Sequence, residues 1–512
     1  MSALESETLL WMSLGIPAAA AFGIPLAGRW PNIREGVTLV AAGALFLTVM
    51  TLLLRVLDGE RPEAYGFEVV DGVALALAVE PLGMLFASVA STLWIVNSIY
   101  SIGYMRGNNE PRQTPFYICF AVAIAAAIGV AFSANLFTLF LFYEILTVST
   151  YPLVAHKANE DARTNARVYL VLLMATSMVL LLPAIIWTYV AAGSADFIQG
   201  GLLAGAGLSA GMLTLLYALY IFGIGKAAVM PVHFWLPAAM VAPTPVSALL
   251  HAVAVVKAGV FCVIKVTVYV FGLDLLTETG ASQPIAYVAG FTVIMASLIA
   301  LMHDNLKKRL AFSTVSQLSY VVMAAAVASP LAILGAAMHI AAHAVSKITL
   351  FFGAGCIYTA AHLTKVSELD GIGRRMPVTM TAFLVGTLSI IGLPPLIGVW
   401  SKWWIGVGAV DSDNLWVVAV LMISSLLNVA YLVPIASRGF FMPPKDAKPG
   451  EPIAVAEAPL PCLIAICVTA GLCVVLFFGV NELEALLLPI TEGAAPAAAA
   501  QAPADLAQGA IQ

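Results

Sequence analysis

Five lysines and one glutamate lie inside long apolar stretches of this chain, where a charged side chain is costly. The lysines are Lys226, Lys257, Lys265, Lys347 and Lys402, and the carboxylate is Glu144. A charge at the centre of a lipid bilayer costs a few kcal/mol on insertion scales. Charges retained at such a cost predict a function, and salt bridges that only lock helices together are the structural alternative.

Proton transfer is the chemistry that these groups could perform. Burial disfavours the charged form of a lysine, and a nearby carboxylate restores it. A Glu–Lys pair can therefore act as a switch, because the lysine releases its proton when the pair separates. Histidines titrate near neutrality and can bridge successive lysines.

Three histidines are placed to act as such bridges. His251 lies six residues before Lys257. His339 and His343 precede Lys347. His343 and Lys347 are four residues apart, which places these two side chains on one helix face. Lys265, near the outer end of its stretch, is expected to extend its ammonium group to the membrane surface. His251 could equally be a core histidine with satisfied hydrogen bonds.

The composition excludes a soluble protein. The chain has 512 residues, of which 61% are hydrophobic and 10% charged, whereas soluble domains carry about a quarter charged residues. Continuous apolar runs of about 20 residues predict membrane-spanning helices, because such runs are too long to be the strands of a barrel. The predicted spans are 8–28, 37–57, 79–104, 114–132, 134–155, 167–192, 209–242, 245–271, 284–302, 310–329, 331–361, 376–409, 414–437 and 459–480.

The basic residues predict how the chain is oriented. Thirteen loops connect these spans. The only basic residue in the even-numbered loops is Arg61. Loops 1, 3, 5, 9, 11 and 13 contain Arg29, Arg34, Arg106, Arg112, Lys157, Arg163, Arg167, Lys307, Lys308, Arg309, Lys365, Arg374, Arg375, Arg438, Lys445 and Lys448. Basic loops stay in the cytoplasm. We therefore expect odd loops inside and both termini on the outer side of a bacterial inner membrane.

Two predicted spans are too long and contain prolines. Segment 209–242 contains Pro231 and Pro237, and segment 376–409 contains Pro394 and Pro395. Proline breaks a helix, and a break at membrane depth is tolerated where it lines a cavity walled by protein.

The broken spans are the seventh and twelfth, five apart, which predicts two five-helix units in inverted orientation, as in ion transporters. The predicted domains are 1–113 with the first three helices, repeats 114–271 and 284–438, a last helix 459–480 and a disordered tail 493–512 rich in Ala, Pro and Gln.

No motif for a cofactor is present. The sequence contains no phosphate loop, dinucleotide fingerprint, clustered metal ligands or haem and iron–sulfur spacing. We therefore expect no cofactor and no nucleic-acid partner.

Two stretches resemble a known family. Residues 225–237 read GKAAVMPVHFWLP and are followed at 242–251 by APTPVSALLH, and residues 392–395 read GLPP and lead to Lys402. These stretches resemble the antiporter-like subunits of respiratory complex I, membrane-bound hydrogenases and Mrp Na⁺/H⁺ antiporters. The resemblance extends over roughly the third to the thirteenth span.

The resemblance implies fourteen helices, other membrane subunits as partners, and transport of H⁺ and Na⁺. It also implies a proton path through a glutamate of the fifth helix and lysines of the seventh, eighth and twelfth, which match Glu144, Lys226, Lys257 and Lys402. The combination of Lys257 with Lys402 and the chain length look most like the D-type subunit of Mrp antiporters, and the N-type subunit of complex I is next.

Three functions follow as hypotheses. The first is the proton-translocating subunit of a multisubunit Na⁺/H⁺ antiporter. The second is a pumping subunit of a complex I-like NADH:quinone oxidoreductase or membrane hydrogenase, without a redox site of its own. The third is a stand-alone carrier or a purely structural subunit. Na⁺ prefers oxygen ligands, and Glu144 is the one mid-span carboxylate, so we do not expect Na⁺ to bind in this chain alone.

Overall fold

The structure is a computed structural model that describes residues 5–70, 73–249, 253–444 and 454–491. His251 and the predicted tail 493–512 lie outside the described residues. The described part is mostly helical and contains one β-hairpin.

The helices of the first half are α1 (Ser6–Leu26), α2 (Pro31–Leu57), α3 (Pro81–Gly107), α4 (Gln113–Ala131), α5 (Leu136–Val154), α6 (Glu160–Thr176), α7 (Leu182–Ala192), α8 (Ala210–Gly223), α9 (Trp235–Ala238), α10 (Thr244–Ala248), α11 (Val255–Lys265) and α12 (Leu273–Thr279). Those of the second half are α13 (Gln283–Met302), α14 (Leu306–Val327), α15 (Pro330–Ala361), α16 (Ile372–Arg375), α17 (Pro377–Ile391), α18 (Gly398–Asp411), α19 (Leu415–Phe441), α20 (Leu460–Phe478) and α21 (Val480–Leu487). Short 3₁₀ turns lie at Gly225–Ala227, Val232–Phe234, Ala239–Val241, Val366–Glu368 and Leu488–Thr491, and π-helical segments at Ser177–Leu181 and Val266–Phe271.

Eleven helices of the described residues are long and apolar enough to cross a membrane, with Glu160–Ala192 counted as one. The bent pair Val255–Phe271 and Leu273–Thr279 raises the number to twelve. The predicted spans 209–242 and 376–409 are each divided into shorter helices. An all-α polytopic membrane protein is therefore confirmed, whereas the count of fourteen stays a prediction.

Polar side chains at the loop ends determine where several helices begin. Asn135 precedes α5, Asn159 precedes α6 and Asn305 precedes α14, and each side chain accepts a hydrogen bond from a backbone N–H of the first turn. Such caps satisfy donors that have no partner within the helix. Prolines in the first turn of α2, α3 and α15 serve a similar purpose, because they have no N–H to satisfy.

A β-hairpin between α2 and α3 is absent from the sequence prediction. Strands β1 (Glu63–Val70) and β2 (Val73–Ala78) pair antiparallel, with Glu63 opposite Ala78. The hairpin is fixed to the loop before α5, where the Asn135 side chain donates to the Ala74 carbonyl at 2.8 Å. The sequence carried no clear signal for it, because β1 does not alternate apolar and polar residues and its large side chains Tyr65 and Phe67 are exposed.

The loops form two separate groups. The ninth and eleventh loops join where Asn305 pairs with Lys365, and Arg438 at the end of α19 forms an ion pair with Asp370 at 2.8 Å. In the other group, β2 pairs with Ser133, and Asn135 pairs with Asp196. Odd-numbered loops thus contact odd-numbered loops, and even contact even, in agreement with an alternating path through a membrane.

Helix α15 lies at the centre of the molecule. The most apolar 18-residue stretch of α15 is completely buried, as is that of α14. Helix α15 contacts α3, α10, α11, α14, α17, α18 and α20. Helix α15 carries His339, His343 and Lys347. These three side chains are therefore positioned from several sides by packed helices.

Candidate functional site

The predicted seventh span is unwound around Lys226. Helix α8 ends at Gly223, and Lys226 lies in the 3₁₀ turn Gly225–Ala227. Pro231 lies in the unwound stretch and Pro237 within the four-residue α9. The helix therefore ends several residues before the first proline. Trp235 connects the two sides of the break, because its Nε1 donates to the Gly225 carbonyl at 2.9 Å.

Helix α11 packs directly on this turn at Gly259. A Cβ at Gly259 would lie 2.4 Å from the Lys226 carbonyl carbon and 2.5 Å from the Ala227 nitrogen. Real Cβ atoms essentially never approach backbone this closely. The absence of a side chain at Gly259 thus allows the helix that carries Lys257 to lie against the unwound turn that carries Lys226.

Lys226 is completely buried and held by α5. Its ammonium group donates to the Tyr143 carbonyl at 2.8 Å and to the Thr147 hydroxyl at 2.6 Å, and it lies 3.0 Å from the centroid of the Tyr143 ring. Glu144 follows Tyr143 on the same helix. Both Glu144 carboxylate oxygens are buried and have no hydrogen-bond partner among the described residues. Among the described residues, therefore, no hydrogen bond joins the Lys226 ammonium group to the Glu144 carboxylate.

A row of polar groups extends from Lys257 across α15. The Lys257 ammonium group contacts Nδ1 of His343. The His343 ring stacks on that of His339, with centroids 5.8 Å apart and planes inclined by 15°. Nδ1 of His339 is hydrogen-bonded to the Ser401 hydroxyl at 2.9 Å. The row thus reaches α18 at the residue before Lys402.

Lys402 lies at the second break. Helix α17 ends at Ile391 and α18 begins at Gly398, so Pro394 and Pro395 lie between them. The Lys402 ammonium group donates to the Ile390 and Ile391 carbonyls, both at 2.9 Å, and to the Ser425 hydroxyl at 3.2 Å. The carbonyls at the end of α17 have no partners within the helix. Both breaks thus place a lysine against carbonyl oxygens.

Lys347 lies beside this row rather than in it. Its ammonium group donates to the Ser313 hydroxyl of α14 at 2.6 Å, and the Tyr431 hydroxyl of α19 donates to the same oxygen at 2.8 Å. The spacing correctly brings Lys347 one turn from His343, yet the two side chains bond to different helices.

The prediction that Lys265 reaches the membrane surface is wrong. Its side chain is 1% exposed and forms an ion pair with Glu80 at 2.5 Å. It also donates to the Ser133 carbonyl at 2.7 Å. Glu80 precedes α3. The carboxylate that stabilises the buried Lys265 ammonium group thus comes from a distant part of the sequence.

Sequence reasoning missed the hydroxyl groups of the site. Thr147, Ser401 and Ser313 each bond to one of the predicted residues. Serine and threonine are frequent in apolar helices, where they often bond to their own backbone. The one available signal was spacing, because Ser401 adjoins Lys402 and Thr147 follows Glu144 by one turn.

Comparisons with known proteins agree on a family. The model described as NADH:quinone oxidoreductase/Mrp antiporter, transmembrane, matches residues 133–428. NADH-quinone oxidoreductase subunit N of Desulforudis audaxviator (strain MP104C) is 29% identical over 433 residues, which are 82% of this chain and 84% of that relative. The probable K⁺/H⁺ antiporter A/B subunit of Rhizobium meliloti (strain 1021) is 30% identical over 91% of this chain, which spans only 47% of that relative. The chain spans about half the length of several other curated relatives.

The fold is also that of a solved structure. A chain in the structure of the Mrp complex from Dietzia sp. DQ12-45-1b matches with a TM-score of 0.81. The match covers 96% of this chain and 97% of that chain, at 18% identity.

Proposed function

This chain belongs to the NADH:quinone oxidoreductase/Mrp antiporter transmembrane family, and we propose that it is the proton-translocating subunit of a multisubunit monovalent cation/H⁺ antiporter. The observation that supports the proposal is the series of contacts from Lys257 through His343 and His339 to Ser401, the residue before Lys402. Each member of this series except Ser401 can hold a proton, and Ser401 can pass one on by rotating its hydroxyl.

Lys226 and Glu144 form the gate of the proposed path. When Glu144 approaches the ammonium group, the charged form of Lys226 is favoured, and when it withdraws, the proton is released. In the described part of the chain no hydrogen bond joins Lys226 to Lys257. Transfer between them therefore needs a water molecule or a movement of α11 on the unwound turn.

Lys347 is proposed as a side branch. Its ammonium group donates to the Ser313 hydroxyl of α14, to which the Tyr431 hydroxyl of α19 also donates, rather than to His343. It can adjust the charge near Lys257 without being a carrier. Its neutralisation should therefore reduce transport less than that of Lys257.

A pumping subunit of a redox-driven complex is the second candidate. Its support is the relative named NADH-quinone oxidoreductase subunit N, of which this chain covers 84%. The path from Glu144 to Lys402 would keep its chemistry, and electron transfer in other subunits would drive it.

The remaining predictions belong to the same proposal. Residues 114–271 and 284–438 act as two inverted five-helix units, odd loops face the cytoplasm of a bacterial cell, and both termini lie outside. The transported cation is Na⁺ or K⁺, because the relatives include a probable K⁺/H⁺ antiporter. The resemblance to the D-type subunit of Mrp antiporters is part of this proposal.

Gentle purification of the tagged protein with its partners, followed by mass spectrometry, tests the assignment. The same complex is then assayed in vesicles for collapse of a pH gradient on addition of Na⁺ or K⁺. Small membrane partners with cation-dependent exchange are expected. Iron–sulfur partners, with no exchange until an electron donor is added, would replace the antiporter by the redox-driven pump.

A further inference from the structure

A basic pocket opens beside the proposed path, at the loop-5 ends of α5 and α6. Its volume is about 420 Å³. Three arginines line it: Arg112 immediately before α4, and Arg163 and Arg167 one turn apart on α6. No acidic side chain of the described residues lines the pocket. Its walls therefore carry a concentrated positive charge.

The arginines are available to a ligand. Arg163 and Arg167 are exposed, and no ion pair joins any of the three arginines to an acidic group within the described ranges. Arg112 is fixed in place because its guanidinium donates to the His156 carbonyl. A guanidinium group presents N–H donors in a planar fork that matches phosphate or carboxylate oxygens.

The wall of the pocket combines aromatic side chains with a nearly buried histidine. Phe116 of α4 and Tyr151 of α5 line it together with His156. The His156 side chain is 4% exposed, and its Nε2 has no hydrogen-bond partner in the described structure. It lies 3.8 Å from Oε2 of Glu110, with which His156 forms an ion pair when it is protonated. Glu110 does not line the pocket, so the three guanidinium groups, rather than this nitrogen, carry the recognition of an anion.

The position of the pocket identifies the class of ligand. Helices α4 and α5 are apolar and long enough to span a bilayer, and the pocket lies where they meet the basic loops. Anionic phospholipids present their phosphate at this depth, and basic pockets between transmembrane helices bind such headgroups. A water-soluble anion has no apolar part to pack against the aromatic side chains and the apolar helices that continue from them.

We propose that the pocket formed by Arg112, Arg163, Arg167 and His156 binds the phosphate of an anionic phospholipid from the adjacent leaflet. The guanidinium groups hold the phosphate oxygens, and the acyl chains lie along α4 and α5. Neither Lys226 nor Lys402 nor any residue of the row between them lines the pocket. The lipid would therefore fix the packing of α4, α5 and α6, and with it the position of Glu144 on α5.

Native mass spectrometry of the purified complex tests the proposal, with thermal unfolding as a second measurement. Wild type is expected to retain phosphatidylglycerol in preference to phosphatidylcholine, and phosphatidylglycerol should raise its unfolding midpoint. The double variant Arg163→Gln/Arg167→Gln should reduce the retained phosphatidylglycerol at least fivefold. The matched control Lys308→Gln/Lys365→Gln removes two basic residues of the same loop group outside the pocket and should retain it.

Three results would overturn the proposal. Wild type could retain both lipids equally, inorganic phosphate alone could raise the midpoint as much as the lipid, or the arginine variant could lose a partner subunit instead of lipid. The last result would assign the arginines to an acidic surface of a neighbouring subunit. If the double variant does not fold, the single variant Arg167→Gln is used, with a smaller loss of retained lipid expected.

Discussion

Replacement of Gly259 by alanine should misplace Lys226 without changing any ionisable group. The added Cβ would lie 2.4 Å from the Lys226 carbonyl carbon, where ordinary contact begins at 3.4 Å. The turn or α11 must therefore move by about 1 Å, and overpacking of this kind costs about 1–3 kcal/mol. A movement of the turn would lengthen the 2.6 Å contact with Thr147 to about 3.6 Å, beyond hydrogen-bond range.

The expected result is a loss of transport with an intact complex. Misplacement of a reacting group by 1 Å can cost up to about a hundredfold in rate, and we expect cation-dependent exchange to fall at least about tenfold. The assay is the collapse of a pH gradient in vesicles that contain the purified complex. Gly211→Ala is the matched control, because Gly211 lies on α8, which leads into the same break, and has no atom within 4 Å of an added Cβ. If Gly259→Ala exchanges at the wild-type rate, the turn does not position Lys226 for transfer.

Three further predictions concern stability and can be checked by thermal unfolding of the purified complex. Lys265→Met leaves Glu80 without its partner and should cost about 3 kcal/mol; the added change Glu80→Leu should restore most of it, and no recovery would mean that the pair is not the cause. Trp235→Phe leaves the Gly225 carbonyl unsatisfied at the break and should cost about 1–3 kcal/mol, whereas an unchanged midpoint would show that the 2.9 Å bond contributes nothing. Burial lowers the pKa of His156 to about 4 from an ordinary value of 6.5, so in complex freed of anionic lipid the unfolded chain binds a proton in this window that the folded chain does not. The stability of that complex should fall as the pH drops from 6.5 to 4, and a His156→Gln variant with an equally steep fall would contradict this.

The sequence predicted the charged groups of the site because a charged residue within a long apolar run can be recognised without knowledge of the fold. A lysine in a long apolar run, such as Lys226 or Lys402, needs no knowledge of the fold to be recognised. The family resemblance drawn from residues 225–237 was confirmed by the family model that matches residues 133–428. The prolines correctly indicated interrupted spans, although the helix ends at Gly223, before the first proline.

The contacts between helices could not be predicted, because close approach depends on small residues of other helices. Ser401 meets His339 where α15 and α18 cross, and a Cβ at Gly335 would lie 2.5 Å from the Ile405 nitrogen. Nothing in the pattern near Lys265 indicated Glu80 as its partner, so the surface position predicted for it was wrong. The hydroxyl partners were missed for the same reason.

If protons pass through Lys226, a Lys226→Ala variant of the intact complex should lose cation-dependent exchange. The variant is reconstituted beside wild type and a Lys365→Ala control, which removes an exposed lysine of the eleventh loop. We expect Lys226→Ala to show only the background of empty vesicles, with unchanged subunit composition, while the control exchanges at the wild-type rate. Full exchange by Lys226→Ala would show that protons do not pass through this lysine.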